Sequence, residues 1–349
     1  MAVRRNLGFS VSIDTEEDNW IPTLADISVR NVATLPGLAD LFSALGVRAT
    51  YFTTYQVAID RDATAALKEV HGRGGAEIGA HLHPWNTPPY SGIERQRSML
   101  RDYPADAQGS KLDVLLHSLR DGLHVRPTSF RTGRFGVGST TIRALIERGI
   151  LVDSSVTPLV SWREYDGASF IHAPTRPYRL DGTSGVSEPV EGGRLVEVPV
   201  TVGFTRFGPS SWPALASWTQ GRGVRLFRLP GIASRTRFFR RVILSPETNS
   251  AEDMLNVSRR MVDGGEPHLH MYLHSSTLVP GLTPFTRTTA DVQRVFDRVA
   301  RYVEGLSKLA DVHFCTVSEA ADTYGHHSRG HSPREAMRES TDRPDAGAS

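Results

Sequence analysis

The chain alternates short apolar stretches of strand type with longer stretches of helical periodicity. Stretches rich in Val, Ile, Leu and Phe, which suit buried strands, lie at residues 9–13, 47–52, 76–81, 128–131, 151–153, 195–202, 267–274 and 312–316. Apolar residues recur with helical spacing at 38–45, 65–70, 111–122, 138–148, 252–263 and 288–306. This alternation predicts βα units around a mostly parallel sheet or barrel, which is an α/β fold.

The composition narrows the class of protein. Of the 349 residues, 39% are hydrophobic and 22% charged, which suits a globular chain with a substantial core. The formal net charge of +2 gives no global basic field, so nucleic acid is not an expected partner. The single cysteine, Cys315, excludes an internal disulfide framework and a multi-cysteine zinc site, and its apolar neighbours predict a buried strand thiol.

No stretch of the sequence has the roughly 20 consecutive apolar residues of a membrane-spanning helix. Arg4 and Arg5 imitate the charged start of a secretory signal, but the apolar run after them is short and ends in acidic residues. We therefore expect no transmembrane segment and a cytoplasmic location.

Four carboxylates are crowded where the first predicted strand ends, beginning with Asp14, Glu16 and Glu17. Residues at i and i+2 of an extended chain face the same side, so Asp14 and Glu16 are expected to project into one site. Carboxylates that close repel each other, and a cation between them relieves the repulsion. A solvated acidic loop or an acidic helix start remains an alternative interpretation.

A pair of histidines follows the third predicted strand. His81 and His83 have the same i, i+2 spacing, so both imidazoles are expected to reach one metal ion, and Pro84 stiffens the loop after them. A single histidine is more often a core or surface residue, but two on one face favour a metal site.

Two further strand ends carry a cation and an anion. Arg131 ends the fourth predicted strand, where its guanidinium is suited to hold a catalytic carboxylate in its charged form. Asp153 ends the next strand and is placed to pair with an arginine or a histidine. A purely structural ion pair explains this pattern equally well.

Three histidines alternate along the strand predicted at 267–274. His268, His270 and His274 share one face, and His274 lies at the strand end, where a histidine with a pKa near neutrality is suited to act as a general acid. The other two are interpreted as structural or supporting residues.

Taken in chain order, these five segments resemble the five motifs of the polysaccharide deacetylase family, also called the NodB-homology or carbohydrate esterase 4 domain. The Asp-Thr-Glu-Glu and His-Leu-His-Pro-Trp forms are most similar to its branch associated with lipopolysaccharide biosynthesis proteins. The resemblance spans residues 8–322 and is looser across 158–250. It implies a distorted (β/α)7 barrel as one domain over 1–325, a divalent metal that is usually zinc, and hydrolysis of an N-acetyl group on a sugar.

The resemblance also implies roles for individual residues. Asp14 matches the general base, Glu16 the acidic metal ligand and His81 the first metal histidine. The arginine that orients the base, the aspartate of the fourth motif and the catalytic acid correspond to Arg131, Asp153 and His274.

The sequence departs from the family pattern in two places. The second metal histidine usually lies four residues after the first, where this chain has Trp85, so we assign that role to His83. With Glu16, His81 and His83 as ligands, one coordination position stays open, as catalytic zinc requires. The first motif also lacks the common Asp-Asp pair, which leaves the division of roles among Asp14, Glu16 and Glu17 open.

Two regions interrupt the βα pattern. Residues 158–250 form an insert or elaboration, and within it the stretch 198–246 contains eight arginines and no Asp or Glu, with most arginines at 222–241. These arginines suggest a clamp for a nucleotide- or lipid-diphosphate-linked sugar, or peripheral contact with an anionic membrane, although a solvated basic face is an equal alternative. The polar stretch 326–349 is predicted to be a disordered tail.

The sequence therefore predicts a metal-dependent carbohydrate deacetylase. Two alternatives stay open. One is an allantoinase-like amidohydrolase acting on a small cyclic or ureido substrate, and the other is a barrel that binds carbohydrate without catalysis.

Overall fold

The computed structural model describes residues 4–21, 25–94, 96–220 and 240–327. Within these ranges the strands are β1 (Asn6–Thr15), β2 (Ala49–Thr53), β3 (Glu77–Leu82), β4 (Ser129–Thr132), β5 (Val152–Asp153), β6 (Tyr178–Leu180), β7 (Leu195–Glu197), β8 (Val202–Phe204), β9 (Arg241–Ile243), β10 (His268–His274) and β11 (Asp311–Phe314). The α-helices in the same ranges are α1 (Leu35–Leu45), α2 (Tyr55–Ile59), α3 (Arg61–Gly72), α4 (Ala105–Leu123), α5 (Ser139–Glu147), α6 (Trp212–Gln220), α7 (Ala251–Asp263), α8 (Thr289–Leu309) and α9 (Val317–His327).

Local sequence signals account for several helix boundaries. The Asp60 side chain accepts hydrogen bonds from the backbone N–H groups at the start of α3, and Ser250 does the same for α7. A capping box between Thr288 and Asp291 begins α8. Gly46 ends α1 with a φ of 70°, a left-handed conformation that glycine adopts without strain.

The main sheet is parallel except at one edge. Its strands follow the order β10-β1-β2-β3-β4-β5-β7-β6, and β11 pairs with the first half of β1. Only β6 runs antiparallel to its neighbour, β7. Helices occur between most consecutive parallel strands, which confirms the α/β fold predicted from the alternation.

Backbone hydrogen bonds link the two ends of this curled sheet. The Thr201 N–H, just beyond β7, donates to the His270 carbonyl of β10 at 3.0 Å. The Tyr272 N–H donates to the carbonyl of Leu244, just after β9, at the same distance. The segments beside the small antiparallel sheet of β8 and β9 therefore bridge the space between β7 and β10, and the predicted distorted (β/α) barrel is confirmed.

The predicted strand 195–202 is in fact divided into β7 and β8. Pro199 lies between them and has no N–H to donate to a strand ladder, which explains the interruption. The short strands β6 and β9 and the helix α6 also fall in the region 158–250, where 195–202 was the one strand predicted.

Cys315 is a buried free thiol, as predicted, although it lies directly after β11 and not within the strand. The helix α9 extends to His327, so the first two residues of the predicted tail are helical, and residues 328–349 lie outside the described chain. No helix among the described residues is long and apolar enough to cross a bilayer.

The strand register brings the polar strand ends together. Asp14 of β1 is opposite His274 of β10, and His81 of β3 is opposite Arg131 of β4. Because these strands are parallel, their carboxyl ends share one rim of the barrel, where functional sites of such folds are built.

Candidate metal centre and active site

Three side chains at this rim converge on one point. Glu16, His81 and His83 each direct a ligand atom inward, and these atoms lie within 4.8 Å of one another. A Glu16 carboxylate oxygen, Oε2, lies 3.2 Å from His83 Nε2 and 3.7 Å from His81 Nε2, and the two Nε2 atoms are 3.1 Å apart. All three residues are buried.

The opposite ring nitrogens fix the tautomers of both histidines. His81 Nδ1 lies 2.9 Å from the Arg131 carbonyl oxygen, which only accepts, so Nδ1 carries the proton. His83 Nδ1 lies 2.8 Å from the Glu17 carboxylate and donates to it in the same way. In the neutral imidazoles, both Nε2 lone pairs therefore point toward the Glu16 oxygen.

Such an arrangement of three acceptors requires a positive charge at its centre. Burial opposes the charged form of His83, but the Glu17 and Glu16 carboxylates outweigh it and raise the pKa of His83 to about 10. Burial likewise opposes the charge of Glu16, yet the charge of His274 and the neighbouring His81 and His83 rings hold the pKa of Glu16 far below its ordinary value. Two imidazole nitrogens and one carboxylate oxygen are a donor set that fits Zn²⁺, and three protein ligands are typical of catalytic zinc.

Packing fixes the ring of His83. Trp85, which lies four residues after His81, stacks on it with ring centroids 4.3 Å apart and so supports the orientation of the His83 ring. On another side, a Cβ added to Gly133 would lie 2.4 Å from His83 Cδ2, so only glycine lets the β4 turn pass this close.

The acidic residues that follow Asp14 have distinct roles. Glu16 is positioned by its backbone N–H, which donates to Ser275 Oγ at 3.1 Å. Glu17 orients His83, and Asp18 accepts hydrogen bonds from Ser28 and Asn31 and so folds the loop. The sequence left the role of Glu17 open, because a partner 66 residues away is not visible in a local pattern.

Asp14 forms a buried ion pair with Arg131. The Arg131 Nη1 donates to Asp14 Oδ1 at 2.7 Å, and the arginine side chain is fully buried. Its Nε and Nη2 donate to Ser154, and its guanidinium lies over the Phe52 ring at 4.5 Å. Arginine is thereby locked in one orientation and holds the Asp14 carboxylate in place.

His274 lies on the other side of Asp14. Its Nε2 is 3.9 Å from Asp14 Oδ2, and its Nδ1 is 3.0 Å from a Glu247 carboxylate oxygen. Burial lowers the pKa of His274, but Glu247, Glu16 and Asp14 together raise it to about 10. His274 therefore carries a proton at neutral pH, with its Nε2–H directed at the site.

Glu247 was not identified from the sequence. It also accepts hydrogen bonds from the His274 backbone N–H and from Thr277 Oγ1, at 2.9 and 2.6 Å. One signal was present, because Glu247 is the first carboxylate after the acid-free stretch 198–246.

Asp153 lies in the interior of the sheet. Ser155 donates to it at 2.6 Å, and Glu197 is opposite it on the neighbouring strand. Burial raises the pKa of Asp153 to about 6, and burial together with the charge of Asp153 raises that of Glu197 well above its ordinary value. The carboxylate that contacts His274 is thus Glu247, whereas Asp153 contacts Ser155 and is opposite Glu197.

The other two histidines of β10 have supporting positions. His270 Nε2 lies 2.8 Å from Ser12 Oγ and 3.4 Å from Arg131 Nη2, so it packs behind the ion pair. His268 is buried near the start of the strand, and burial lowers its pKa to about 4.

Aromatic side chains border the site. Trp20 is 40% exposed and contacts the His274 ring edge to face, with centroids 5.1 Å apart. Phe285 packs against the same tryptophan at 5.0 Å. Together they form an apolar wall beside the proposed acid.

The expected arginine clamp is described only in part. Arg222, Arg225, Arg228, Arg235 and Arg237 lie outside the described residues. Arg240 pairs with Asp253 at 2.9 Å, and Arg241 donates to the Leu159 carbonyl oxygen at 3.2 Å.

Comparison with known proteins identifies solved structures of the same fold. No protein-family model matches the chain, and no curated protein matches it. A structure described as a polysaccharide deacetylase from Mycobacterium smegmatis aligns with 95% of this chain and 94% of its own, at 16% identity and a TM-score of 0.52. A structure with the same description, from Pseudomonas aeruginosa PAO1, aligns with 94% of this chain and 93% of its own, at 15% identity and a TM-score of 0.50. Puue allantoinase aligns with 95% of this chain and 93% of its own, at 14% identity and a TM-score of 0.51.

These likenesses cover nearly the whole of each chain. The fold expected from the five motifs is therefore confirmed: the chain has the barrel fold of proteins described as polysaccharide deacetylases, a fold that it also shares with an allantoinase.

Proposed function

We propose that this protein is a metal-dependent hydrolase that removes the acetyl group from an N-acetylated sugar or glycan. The observation that carries the proposal is the convergence of Glu16, His81 and His83, whose acceptor atoms face one another beside the Asp14–Arg131 and His274–Glu247 pairs. A non-catalytic barrel has no need of a partly buried histidine and a buried carboxylate at the edge of such a group.

Each residue has a defined task in amide hydrolysis. A bound divalent cation supplies Lewis acidity, which acidifies water and polarises the acetyl carbonyl. Asp14, held in place by Arg131, takes the proton from the attacking water. His274 donates its Nε2 proton to the departing amine, while Glu247 keeps the opposite nitrogen protonated and the ring in place.

The donor set supports zinc as the metal, since two histidines and one carboxylate are a common ligand set of catalytic zinc. The arginine content of 222–241 supports a finer proposal, in which a cytoplasmic enzyme acts on a nucleotide- or lipid-diphosphate-linked sugar.

Metal analysis tests the first step of the proposal. Purified protein is expected to contain one zinc ion per chain, and His81→Ala and His83→Ala are each expected to lose it. His117→Ala is the control, because this histidine is exposed on α4. A wild-type protein that binds no divalent metal would contradict the proposal and favour a carbohydrate-binding barrel.

A substrate screen tests the second step. Zinc-loaded protein is incubated with acetylated amino sugars, acetylated oligosaccharides and small ureido amides, and the products are identified by mass spectrometry. We expect loss of acetyl from the sugars, and loss of activity in His274→Ala. Hydrolysis of the ureido amides alone would show that the allantoinase-like alternative is correct.

A further inference from the structure

Two buried carboxyl groups lie side by side in the main sheet, outside the candidate metal centre. Asp153 of β5 is opposite Glu197 of β7, and both residues are fully buried. The mechanism proposed above uses neither of them. Two carboxylates in one buried site repel each other strongly, so the pair is not expected to carry two negative charges.

One oxygen of each carboxyl group has a donor in the protein. Ser155 Oγ donates to Asp153 Oδ1 at 2.6 Å, and the Val156 N–H donates to Glu197 Oε1 at 3.0 Å. The other oxygens, Asp153 Oδ2 and Glu197 Oε2, are buried and have no donor among the residues that the structure describes. An acceptor that is buried without a donor destabilises the folded state.

A single proton would supply the missing donor. The two carboxyl groups lie within hydrogen-bonding distance of each other, but two carboxylates have no hydrogen with which to form that bond. When one group is protonated, it donates to the other, and one of the two buried charges is removed as well. Burial and the neighbouring charge of Asp153 raise the pKa of Glu197 well above its ordinary value, so we expect the proton on Glu197.

The charged and titratable groups around the pair do not replace this proton. Burial raises the pKa of both carboxyl groups, and Arg131 of β4 only opposes this rise, since it is paired with Asp14 at 2.7 Å. Tyr178 of β6 is opposite Glu197, but its hydroxyl donates to a backbone carbonyl oxygen. The proton therefore limits Asp153 and Glu197 to one negative charge between them.

The residues that follow β5 connect this pair to Arg131. The Ser155 hydroxyl donates to Asp153, and its oxygen accepts a hydrogen bond from the Thr132 N–H, next to Arg131, at 2.9 Å. Ser154 accepts from Arg131 Nε through its carbonyl oxygen at 2.8 Å and from Nη2 through its hydroxyl at 2.9 Å. A shift of these residues would therefore move the arginine that orients the proposed base.

We propose that Glu197 keeps a proton at neutral pH and donates it in a hydrogen bond to Asp153, and that this pair positions Arg131 through the residues after β5. In this role Glu197 and Asp153 act through Arg131 and not on the substrate. The consequence for catalysis rests on the proposed function, whereas the proton can be measured without a substrate.

Proton release on unfolding tests the first part of the proposal. The metal-free full chain is unfolded with urea at pH 7 in weakly buffered solution, and a pH indicator counts the protons released. Glutamate in an unfolded chain is ionised at this pH, so the parent is expected to release about one proton more than Glu197→Gln. Glu77→Gln is the matched control and should release as many protons as the parent, because Glu77 accepts hydrogen bonds from the Thr50 and Ser129 hydroxyls at 2.8 and 2.6 Å. Equal release by the parent and Glu197→Gln would show that Glu197 is ionised in the folded protein and would overturn the proposal.

Steady-state kinetics of the zinc-loaded protein test the second part. Glu197→Gln keeps a hydrogen donor toward Asp153 and an acceptor for the Val156 N–H, so it is expected to retain the kcat of the parent. Glu197→Leu removes both and is expected to lower kcat at least about tenfold, with KM and zinc content unchanged, because the base is then misplaced.

The outcomes of the two experiments are distinguishable. Full kcat in Glu197→Leu would overturn the positioning role, and so would a loss of kcat in Glu197→Gln, even if Glu197→Leu does not fold. If the parent itself binds no zinc and hydrolyses no acetylated sugar, the proposed function fails, while the proton count still decides whether Glu197 is protonated.

Discussion

Replacing Arg131 with methionine is expected to destabilise the protein strongly. For unit charges 2.7 Å apart, Coulomb's law with an effective dielectric constant of about 20 gives roughly 6 kcal/mol of attraction between Arg131 and Asp14. Desolvation offsets part of this energy, but the variant leaves a buried, uncompensated carboxylate. Removing one partner of a buried ion pair costs about 3–5 kcal/mol, and we expect a loss of unfolding free energy in that range.

Urea denaturation of the metal-free protein measures this loss. Arg48→Met is the matched control, because the Arg48–Glu319 pair has the same 2.7 Å separation but its side chains are 43% and 39% exposed. That control is expected to cost less than about 1 kcal/mol. The double variant Arg131→Met/Asp14→Asn is expected to be more stable than Arg131→Met alone, since it removes the charge left without a partner.

Two results would refute this reasoning. If Arg131→Met costs no more than Arg48→Met, the buried pair is not a source of stability. If Asp14→Asn does not recover any of the loss, the cost arises from the lost Ser154 and Phe52 contacts rather than from the unpaired Asp14.

Three further predictions concern catalysis. Because Glu247 raises the pKa of His274, the proposed acid loses its proton only as the pH rises through about 10. Glu247→Gln should therefore move the alkaline loss of kcat/KM to lower pH, and an unchanged pH profile would contradict the role of His274 as proton donor. Glu17→Gln should weaken zinc binding about 10–100-fold, as measured by chelator competition, because Glu17 orients His83; unchanged affinity would exclude that role. Trp20→Ala should raise KM for acetylated oligosaccharides but leave KM for a small acetyl ester unchanged, because Trp20 borders the site. An equal rise in KM for both substrates would show that Trp20 acts on the reacting groups instead.

The sequence predicted the architecture and the metal group because both depend on short-range periodicity. Buried strands are marked by apolar runs, and i, i+2 spacing placed His81 and His83 on one face, where the structure has them. Parallel strand ends meet at one rim, so residues such as Asp14 and Arg131 were expected together although 117 residues separate them.

The remaining parts of the site depend on contacts that no local pattern encodes. Glu247 lies in the loop after β9, and which acid reaches His274 is decided by how that loop packs. Asp153 ends a strand as expected, but the neighbouring strand supplies Glu197 and Ser155 turns inward, so Asp153 is held within the sheet. The position of a residue at a strand end predicts that it lies near the rim of the barrel, but it does not predict which residue it contacts.

The central position of β1 sets the order in which the active protein can be completed. The three side chains of the proposed metal site occur within the first quarter of the sequence, whereas the proposed acid His274 lies on β10, which is hydrogen-bonded to the opposite edge of β1. Contacts between such distant segments form late, because closing a long loop of chain costs entropy before the contact repays it. During refolding, uptake of zinc should therefore precede the return of hydrolytic activity. During synthesis, most of the chain must be translated before His274 can contact Asp14.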